Sequence, residues 1–352
     1  MKNNGREAAD LSAVFCLTTE GFFDSILTDQ DGQYTFKEGE SAMGSRETEE
    51  SIIRIRNLHK SYKKMDVLKG VNIDIKKGSI FCLLGSNGAG KTTMVKILTT
   101  LLKADRGEAL LCGHDVSKQP DKVRGVISLT GQYAAVDGLL TARENIRMIG
   151  KLYHVENAAS KADELLERFN LTHVADRPVS TYSGGMRRRL DIAMSLIGRP
   201  EIIFLDEPTT GLDPQSRIKM WKVIRNLLKS GVTVFLTTQY IDEADQLADH
   251  IAVLHKGTII AEGTAKELKS TLAGGTILLG FSNEESYQLA LTKLDGFQYT
   301  DQADSLTLSV TTDGSVKQLA KLLADLEDTD IALLEQKQAS LEDVFLTLVT
   351  ES

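Results

Sequence analysis

The sequence predicts an α/β fold: a mainly parallel sheet flanked by helices, followed by a smaller α+β unit. Three observations predict it. Ile80–Leu84, Ile202–Leu205 and Val232–Leu236 are short continuous apolar runs, the pattern of strands buried on both faces. Helix-period stretches lie between them. Met94, Ile97, Leu98, Leu101 and Leu102 share one helical face, and Ala162, Leu165, Leu166 and Phe169 share another. Charge then divides the chain. Residues 1–50 hold 11 acids against 4 bases, residues 51–270 hold 24 against 33, and residues 271–352 hold 14 against 4, within a total of −8. The expected organisation is a flexible acidic extension over 1–50, a catalytic domain over 51–270 and an accessory domain over 271–352.

Composition excludes several classes. Hydrophobic residues make up 41% and charged residues 26%, as in soluble globular proteins. The longest charge-free run, Ser270 to Asn283, is 14 residues with several polar ones, too short and polar for a membrane span. Met1 to Asp10 has no signal-type apolar core, and Met43 is an alternative start that would make 1–42 an extension. Cys16, Cys82 and Cys112 are odd in number and widely spaced, which fits no zinc or disulfide framework and points to a reducing compartment.

The accessory unit reads in order as a strand (Thr276–Phe281), a helix (Glu284–Leu294), an alternating strand (Leu306–Val310), a helix (Val316–Leu326) and a strand (Ile331–Leu334). This is close to the βαββαβ order of a ferredoxin-like sandwich. A last helix opens with Ser340 and Asp343, a capping box, and aligns Leu341, Val344, Phe345 and Leu348.

The chemistry is concentrated in the middle domain. Gly85-Ser86-Asn87-Gly88-Ala89-Gly90-Lys91-Thr92, followed by Thr93, is a phosphate loop between a predicted strand and a predicted helix. Its glycines let backbone N–H groups face phosphate oxygens, and the helix start adds a positive dipole end. Lys91 then reaches the β- and γ-phosphates and Thr92 a Mg²⁺ ion. Ile202–Leu205 ends in Asp206 and Glu207. Asp206 suits the magnesium site, and Glu207 suits orientation or deprotonation of an attacking water. Ser183-Gly184-Gly185 before a helical stretch is a natural anion site.

Phosphate loop, Ser-Gly-Gly and Leu-Asp-Glu-Pro, in that order, resemble the ATP-binding cassette (ABC) ATPases over roughly Ile52 to Leu268. The resemblance implies a P-loop NTPase with a RecA-like core, an antiparallel β subdomain and an α-helical signature subdomain. It implies that Tyr62 stacks on adenine, that Gln132 touches Mg²⁺ and senses nucleotide state, and that Ser183, Gly184 and Gly185 close on ATP held by a second copy. Asp213, in Gly211-Leu212-Asp213-Pro214, would contact that copy. Two composite sites in a head-to-tail homodimer follow. Gln239 stands where most relatives carry a histidine. It keeps a hydrogen-bonding amide for the γ-phosphate but cannot carry charge. Met186 stands where many relatives carry glutamine. Tyr-Ser-Gly-Gly-Met, Leu-Thr-Thr-Gln-Tyr and the terminal Ser-Leu-Glu-Asp-Val-Phe-Leu resemble the ATP-binding subunits of daunorubicin-resistance-type drug exporters.

That resemblance implies an ATPase at the cytoplasmic face of the membrane, coupled to a separate permease subunit. Immunity or lipid export, or a soluble ABC ATPase acting on ribosomes or nucleic acid, are the alternatives. Arg187-Arg188-Arg189 could attract nucleic acid, but a charged helix face balanced by nearby acids is the favoured reading, and no nucleic-acid partner is expected. Cys82 and Trp221 read as packing residues.

Overall fold

The computed structural model describes residues 51–351 apart from Lys64, Tyr133, 272–275, Gly314 and 338–339. The expected acidic extension and the Met43 start lie outside the described residues, as does Cys16.

The first described elements are a long antiparallel hairpin, β1 (Ser51–Tyr62) and β2 (Met65–Lys76). Ile53, Ile55, Leu68, Val71, Ile73 and Ile75 are buried, while alternate residues such as Arg54, Asn72 and Asp74 face solvent. That period-2 alternation is what one solvated sheet face requires. Next come β3 (Ile80–Leu84), helix α1 (Lys91–Leu98), β4 (Arg106–Leu111) and β5 (His114–Asp115). β4 and β5 complete the antiparallel sheet, in the order β2-β1-β4-β5.

The second sheet continues with α2 (Pro120–Val126) and β6 (Ile127–Thr130). A helical insertion follows, α3 (Ala142–Leu152), α4 (Ala158–Arg168) and α5 (Gly184–Ser195). Then come β7 (Ile202–Asp206), α6 (Pro214–Leu228), β8 (Thr233–Thr238), α7 (Ile241–Leu247), β9 (His250–His255), β10 (Thr258–Gly263) and α8 (Ala265–Thr271). The strand order is β10-β9-β3-β8-β7-β6, parallel except for β10. Every residue of β3, β7 and β8 is buried. Phe81, Phe235 and Phe204 stack across β3, β8 and β7 with centroids 5.3 and 5.2 Å apart on one face, and Cys82, Leu84 and Leu205 fill the other. Cys82 is core, as its apolar strand predicts.

Helix α1 ends at Leu98, short of the predicted Leu101 and Leu102. Thr99 caps it and Thr100 adopts φ +64°, so the chain turns away while Leu102 stays packed on the core. The turn keeps Leu102 inward but exposes Leu101, at 41%, so the apolar spacing there does not mark a continued helix face.

The third sheet holds β11 (Thr276–Phe281), β12 (Gln298–Gln302), β13 (Thr307–Thr311) and β14 (Ile331–Lys337), with α9 (Glu284–Lys293) and α10 (Val316–Asp325) between them. Its order, β12-β13-β11-β14 and antiparallel throughout, is the ferredoxin-like one. β12 has no counterpart in the sequence reading. Its residues, Gln-Tyr-Thr-Asp-Gln, are all exposed on a sheet edge, so no apolar alternation marks them.

The last helix, α11 (Leu341–Glu351), has the predicted capping box: Ser340 N–H and Oγ–H donate to Asp343 Oδ2, and Asp343 N–H donates to Ser340 Oγ. Its Leu341 and Val344 join the large core of the middle domain with Leu247 and Leu268, against α7 and α8. Leu341→Ala should therefore cost about 2–4 kcal/mol in the unfolding of the middle domain. Denaturant titration followed by fluorescence of Trp221, the only tryptophan, reads this. An unchanged Trp221 midpoint would assign α11 to the third sheet alone.

Candidate functional site

The phosphate loop joins β3 to α1. Glycine is required where the backbone has no room. A Cβ on Gly85 would lie 2.5 Å from the Leu254 carbonyl oxygen, and Gly90, at φ +114°, would press one to 2.9 Å from Val67 O. The Gly85 N–H donates to Thr238 O at 3.1 Å, tying the loop to the end of β8. Ser86, Asn87 and Gly88 are exposed at the loop tip, while Ala89 and Gly90 are buried.

Lys91 opens α1 and is only 4% exposed. Its ammonium donates to Gly85 O at 2.8 Å and Ser86 O at 3.1 Å, and lies 3.2 Å from Glu207 Oε1. A buried unpaired ammonium would cost several kcal/mol; two carbonyls and a carboxylate offset that. Asp206 ends β7, buried, and its Oδ1 accepts from Thr237 Oγ1 at 2.5 Å and Thr92 Oγ1 at 3.5 Å. Thr93 follows, half-buried. The hydroxyl of Thr92 and the carboxylate of Asp206, 3.5 Å apart, are hard oxygen donors of the kind a magnesium ion takes when phosphates and water complete its shell. Gln132, a third such donor, lies on the cavity described below, and among the described residues no hydrogen bond joins it to Thr92 or Asp206.

Glu207 sits at φ +48°. A non-glycine residue there carries strain of about 1–3 kcal/mol. Its N–H donates to Thr237 O and to Thr237 Oγ1, both at 3.1 Å, and its carboxylate meets Lys91. These contacts, at about 1 kcal/mol per hydrogen bond, hold the turn. Gln239 is half-buried just past the end of β8, between Thr238, whose Oγ1 accepts from Tyr240 N–H, and Tyr240 itself. Parallel pairing of β3, β8 and β7, interior strands of the sheet, thus gathers Gly85, Gln239 and Glu207 at their C-terminal ends.

Tyr62 is 45% exposed at the turn of the first hairpin, with the Lys60 ammonium 5.7 Å from its ring centre. The hairpin's β2 touches the phosphate loop through Val67 and Leu68 against Gly90.

A second group forms around α5. Ser183 caps it, accepting from Met186 N–H at 3.3 Å, with Gly184 and Gly185 in its first turn. Asp213 caps α6, accepting from Ser216 N–H at 2.9 Å and Ser216 Oγ–H at 2.6 Å. A Cβ on Gly185 would meet Ser216 at 3.1 Å, so the two helix starts abut. Among the described residues, no hydrogen bond or ion pair joins Ser183, Gly184, Gly185 or Asp213 to the phosphate loop.

Arg188 departs from the solvated helix face that its sequence neighbours suggested. It is 5% exposed. Its guanidinium donates to Pro208 O at 3.1 Å, Asp206 O at 3.2 Å and Gly131 O, and lies 3.4 Å from Asp191 Oδ2. Asp191 Oδ1 in turn accepts from Ala135 N–H at 3.1 Å. One buried arginine therefore ties the helical insertion to the end of β7 and to the backbone before Gln132. Gln132 is exposed and lines a cavity of about 390 Å³ with Gly184, Arg188, Pro208 and Leu212. Sequence reasoning also missed Thr237 and the fully buried Glu243, whose Oε1 accepts from Trp221 Nε1–H at 3.1 Å. Burial pushes the Glu243 carboxyl up, against hydrogen bonds that lower it. Glu243 lies in a run of acids, which reads as solvated.

A sheet of this order, with a lysine loop, two strand-end acids and a capped Ser-Gly-Gly helix, defines a phosphate-loop NTPase of the cassette type. The comparisons agree. A family profile described as ABC transporter matches residues 68–210. The daunorubicin/doxorubicin resistance ATP-binding protein DrrA of Streptomyces peucetius is 45% identical, over 84% of this chain and 92% of its own. The linearmycin resistance ATP-binding protein LnrL of Bacillus subtilis is 34% identical, over 84% and 98%. The Nod factor export ATP-binding protein I of Cupriavidus metallidurans is 35% identical, over 85% and 97%. Among solved structures, cbiO1 of Clostridium perfringens aligns with a TM-score of 0.58 at 27% identity, covering 62% of this chain and 90% of that one. A dimeric post-hydrolysis cassette bound to ADP and Pi aligns with a TM-score of 0.54 at 28% identity, covering 60% and 98%. The chain belongs to the ATP-binding subunits of ABC transporters. It is an ATP-binding ATPase, and among its described residues no helix is long and apolar enough to cross a membrane.

The Arg188–Asp191 pair has a pH signature. Burial pushes the Asp191 carboxyl from 3.8 up to about 6, against Arg188 and the Ala135 N–H, which lower it. A raised folded value means stability that is complete below the unfolded value and lost as pH rises through the folded one. The stability of the native chain relative to Asp191→Asn should fall by about 2–3 kcal/mol between pH 4 and pH 6. Denaturation of both proteins across that range measures it; a pH-independent difference would contradict the burial effect.

Proposed function

We propose that two copies of this chain close head to tail on two ATP molecules at the cytoplasmic face of the membrane and drive a separate efflux permease. The observation that carries this reading is the contact of the buried Lys91 ammonium with Glu207, beside Asp206, whose carboxylate accepts from Thr92 of the loop helix and Thr237 of the neighbouring strand. Lys91 leaves Glu207 for the β- and γ-phosphates when ATP enters, and loop N–H groups between Ser86 and Thr93 hold the remaining phosphate oxygens. Tyr62 stacks on the adenine. Thr92 and Asp206, with Gln132, would hold Mg²⁺, which would supply positive charge to the phosphates. Glu207, released from Lys91, orients the attacking water and accepts its proton. Gln239 donates its amide N–H to the γ-phosphate.

The second group of residues is consistent with the other half of a shared site. Ser183, Gly184 and Gly185 present a capped helix start, ready for a γ-phosphate bound by the second copy. Asp213 stands beside them on its own cap. In this reading 51–270 is the motor and the ferredoxin-like unit an accessory domain, with α11 anchoring the unit to the motor. The names of the Streptomyces and Bacillus relatives support drug efflux. The Nod factor export relative keeps export of another cargo as the second reading.

Two experiments test the enzyme. Glu207→Gln should lower turnover by at least ~100-fold while MgATP binding persists and an ATP-dependent dimer accumulates in light scattering. Unchanged turnover would remove Glu207 from its role, and a monomer at saturating ATP would remove the shared site. Gln239→His should change the catalytic rate by less than about tenfold. A larger gain would show that the glutamine limits the reaction.

A further inference from the structure

Helix α6 carries a stripe at four-residue spacing, Arg217, Trp221 and Arg225, and each member touches the segment that follows Gln239. The Arg217 guanidinium lies 4.6 Å from the centre of the Tyr240 ring and 5.6 Å from that of Trp221. Its Nη2 donates to both oxygens of Asp242, at 2.9 and 2.7 Å. Trp221 Nε1–H donates to Glu243, and Arg225 donates to the carbonyl of Gln246. At the other end of the stripe, Arg217 N–H donates to Asp213 O at 2.9 Å.

Gln239 is therefore pinned on both flanks. Before it, Thr238 O accepts from Gly85 N–H of the phosphate loop. After it, Tyr240 is covered by Arg217. We propose that Arg217 is a positioning residue for the reaction: by stacking on Tyr240 and gripping Asp242 it fixes the Gln239 amide toward the γ-phosphate. The proposal rests on the reading of Gln239 as the γ-phosphate contact.

The magnitudes separate this role from simple bracing. The Asp242 side chain is 58% exposed, and ion pairs of that kind add little to stability. Cation–π contact at a partly exposed site adds little more. Arg217 is thus a minor contributor to stability. Placement matters more to the reaction. A glutamine carries its amide on one more rotatable bond than a histidine carries its imidazole, so backbone freedom adds to a side chain that is already less restricted.

A double-mutant cycle on the full-length chain tests it, with Arg217→Met, Gln239→Ala and the pair, reading the catalytic rate and the MgATP dissociation constant. Each single variant should lose about tenfold in rate with binding kept within about twofold, and the pair should be no slower than Gln239→Ala alone. Arg217→Lys, which keeps the charge beside Asp242 but not the planar stack, should recover only part of the rate and guards against misfolding of the methionine variant. Multiplying losses in the pair, a native rate in Arg217→Met or full recovery in Arg217→Lys would overturn the proposal. A native rate in Gln239→Ala would instead remove the reading of Gln239 and the proposal with it. A slow Gln239→Ala with independent losses would remove the proposal alone.

Discussion

The ammonium of Lys91 is the charge on which the rest of the site depends. It is nearly inaccessible, and three oxygens surround it, two from its own loop and one from Glu207. The loop exists in this form because Gly85 and Gly90 admit the backbone close to Leu254 and Val67. Glu207 reaches the ammonium only because its own backbone is bent into a left-handed turn locked by Thr237. In the proposed reaction an arriving phosphate offers Lys91 a better partner, and the carboxylate it leaves becomes free to act on water, so that ligand binding and activation of the base are one exchange of partners.

A second buried cation performs the complementary structural task. Arg188 gathers carbonyls from residues 131, 206 and 208. These belong to the backbone before Gln132, the end of β7 and the turn after Glu207. The helix carrying the Ser-Gly-Gly cap is thereby fixed to the ends of β6 and β7 of the same chain. The cost of burying its charge is met by directed hydrogen bonds and by Asp191. The orientation of the surface proposed to face a second copy thus follows the geometry at the nucleotide.

Much of this was legible in the residues. Continuous apolar runs marked β3, β7 and β8 because strands buried on both faces leave no room for polar alternation. The capping box at Ser340 marked α11 because its hydrogen bonds are local. What escaped notice depends on tertiary placement. Arg188 stands between two other arginines, and nothing local separates the buried one from its neighbours. Glu243 lies among acids in a short helix and becomes distinctive only when Trp221 and Thr209 close over it. β12 is a strand by pairing alone, and α11 follows the third sheet in chain order although Leu341 and Val344 pack on the core beside α7 and α8.

The central claim is that Glu207 and phosphate compete for Lys91. The direct measurement is the calorimetric affinity of the full-length chain for MgADP, with and without Glu207→Gln, since ADP carries the β-phosphate but no γ-phosphate to close a dimer. The account predicts that Glu207→Gln binds MgADP roughly three- to tenfold more tightly, because no ion pair must be given up. Equal or weaker binding would contradict it.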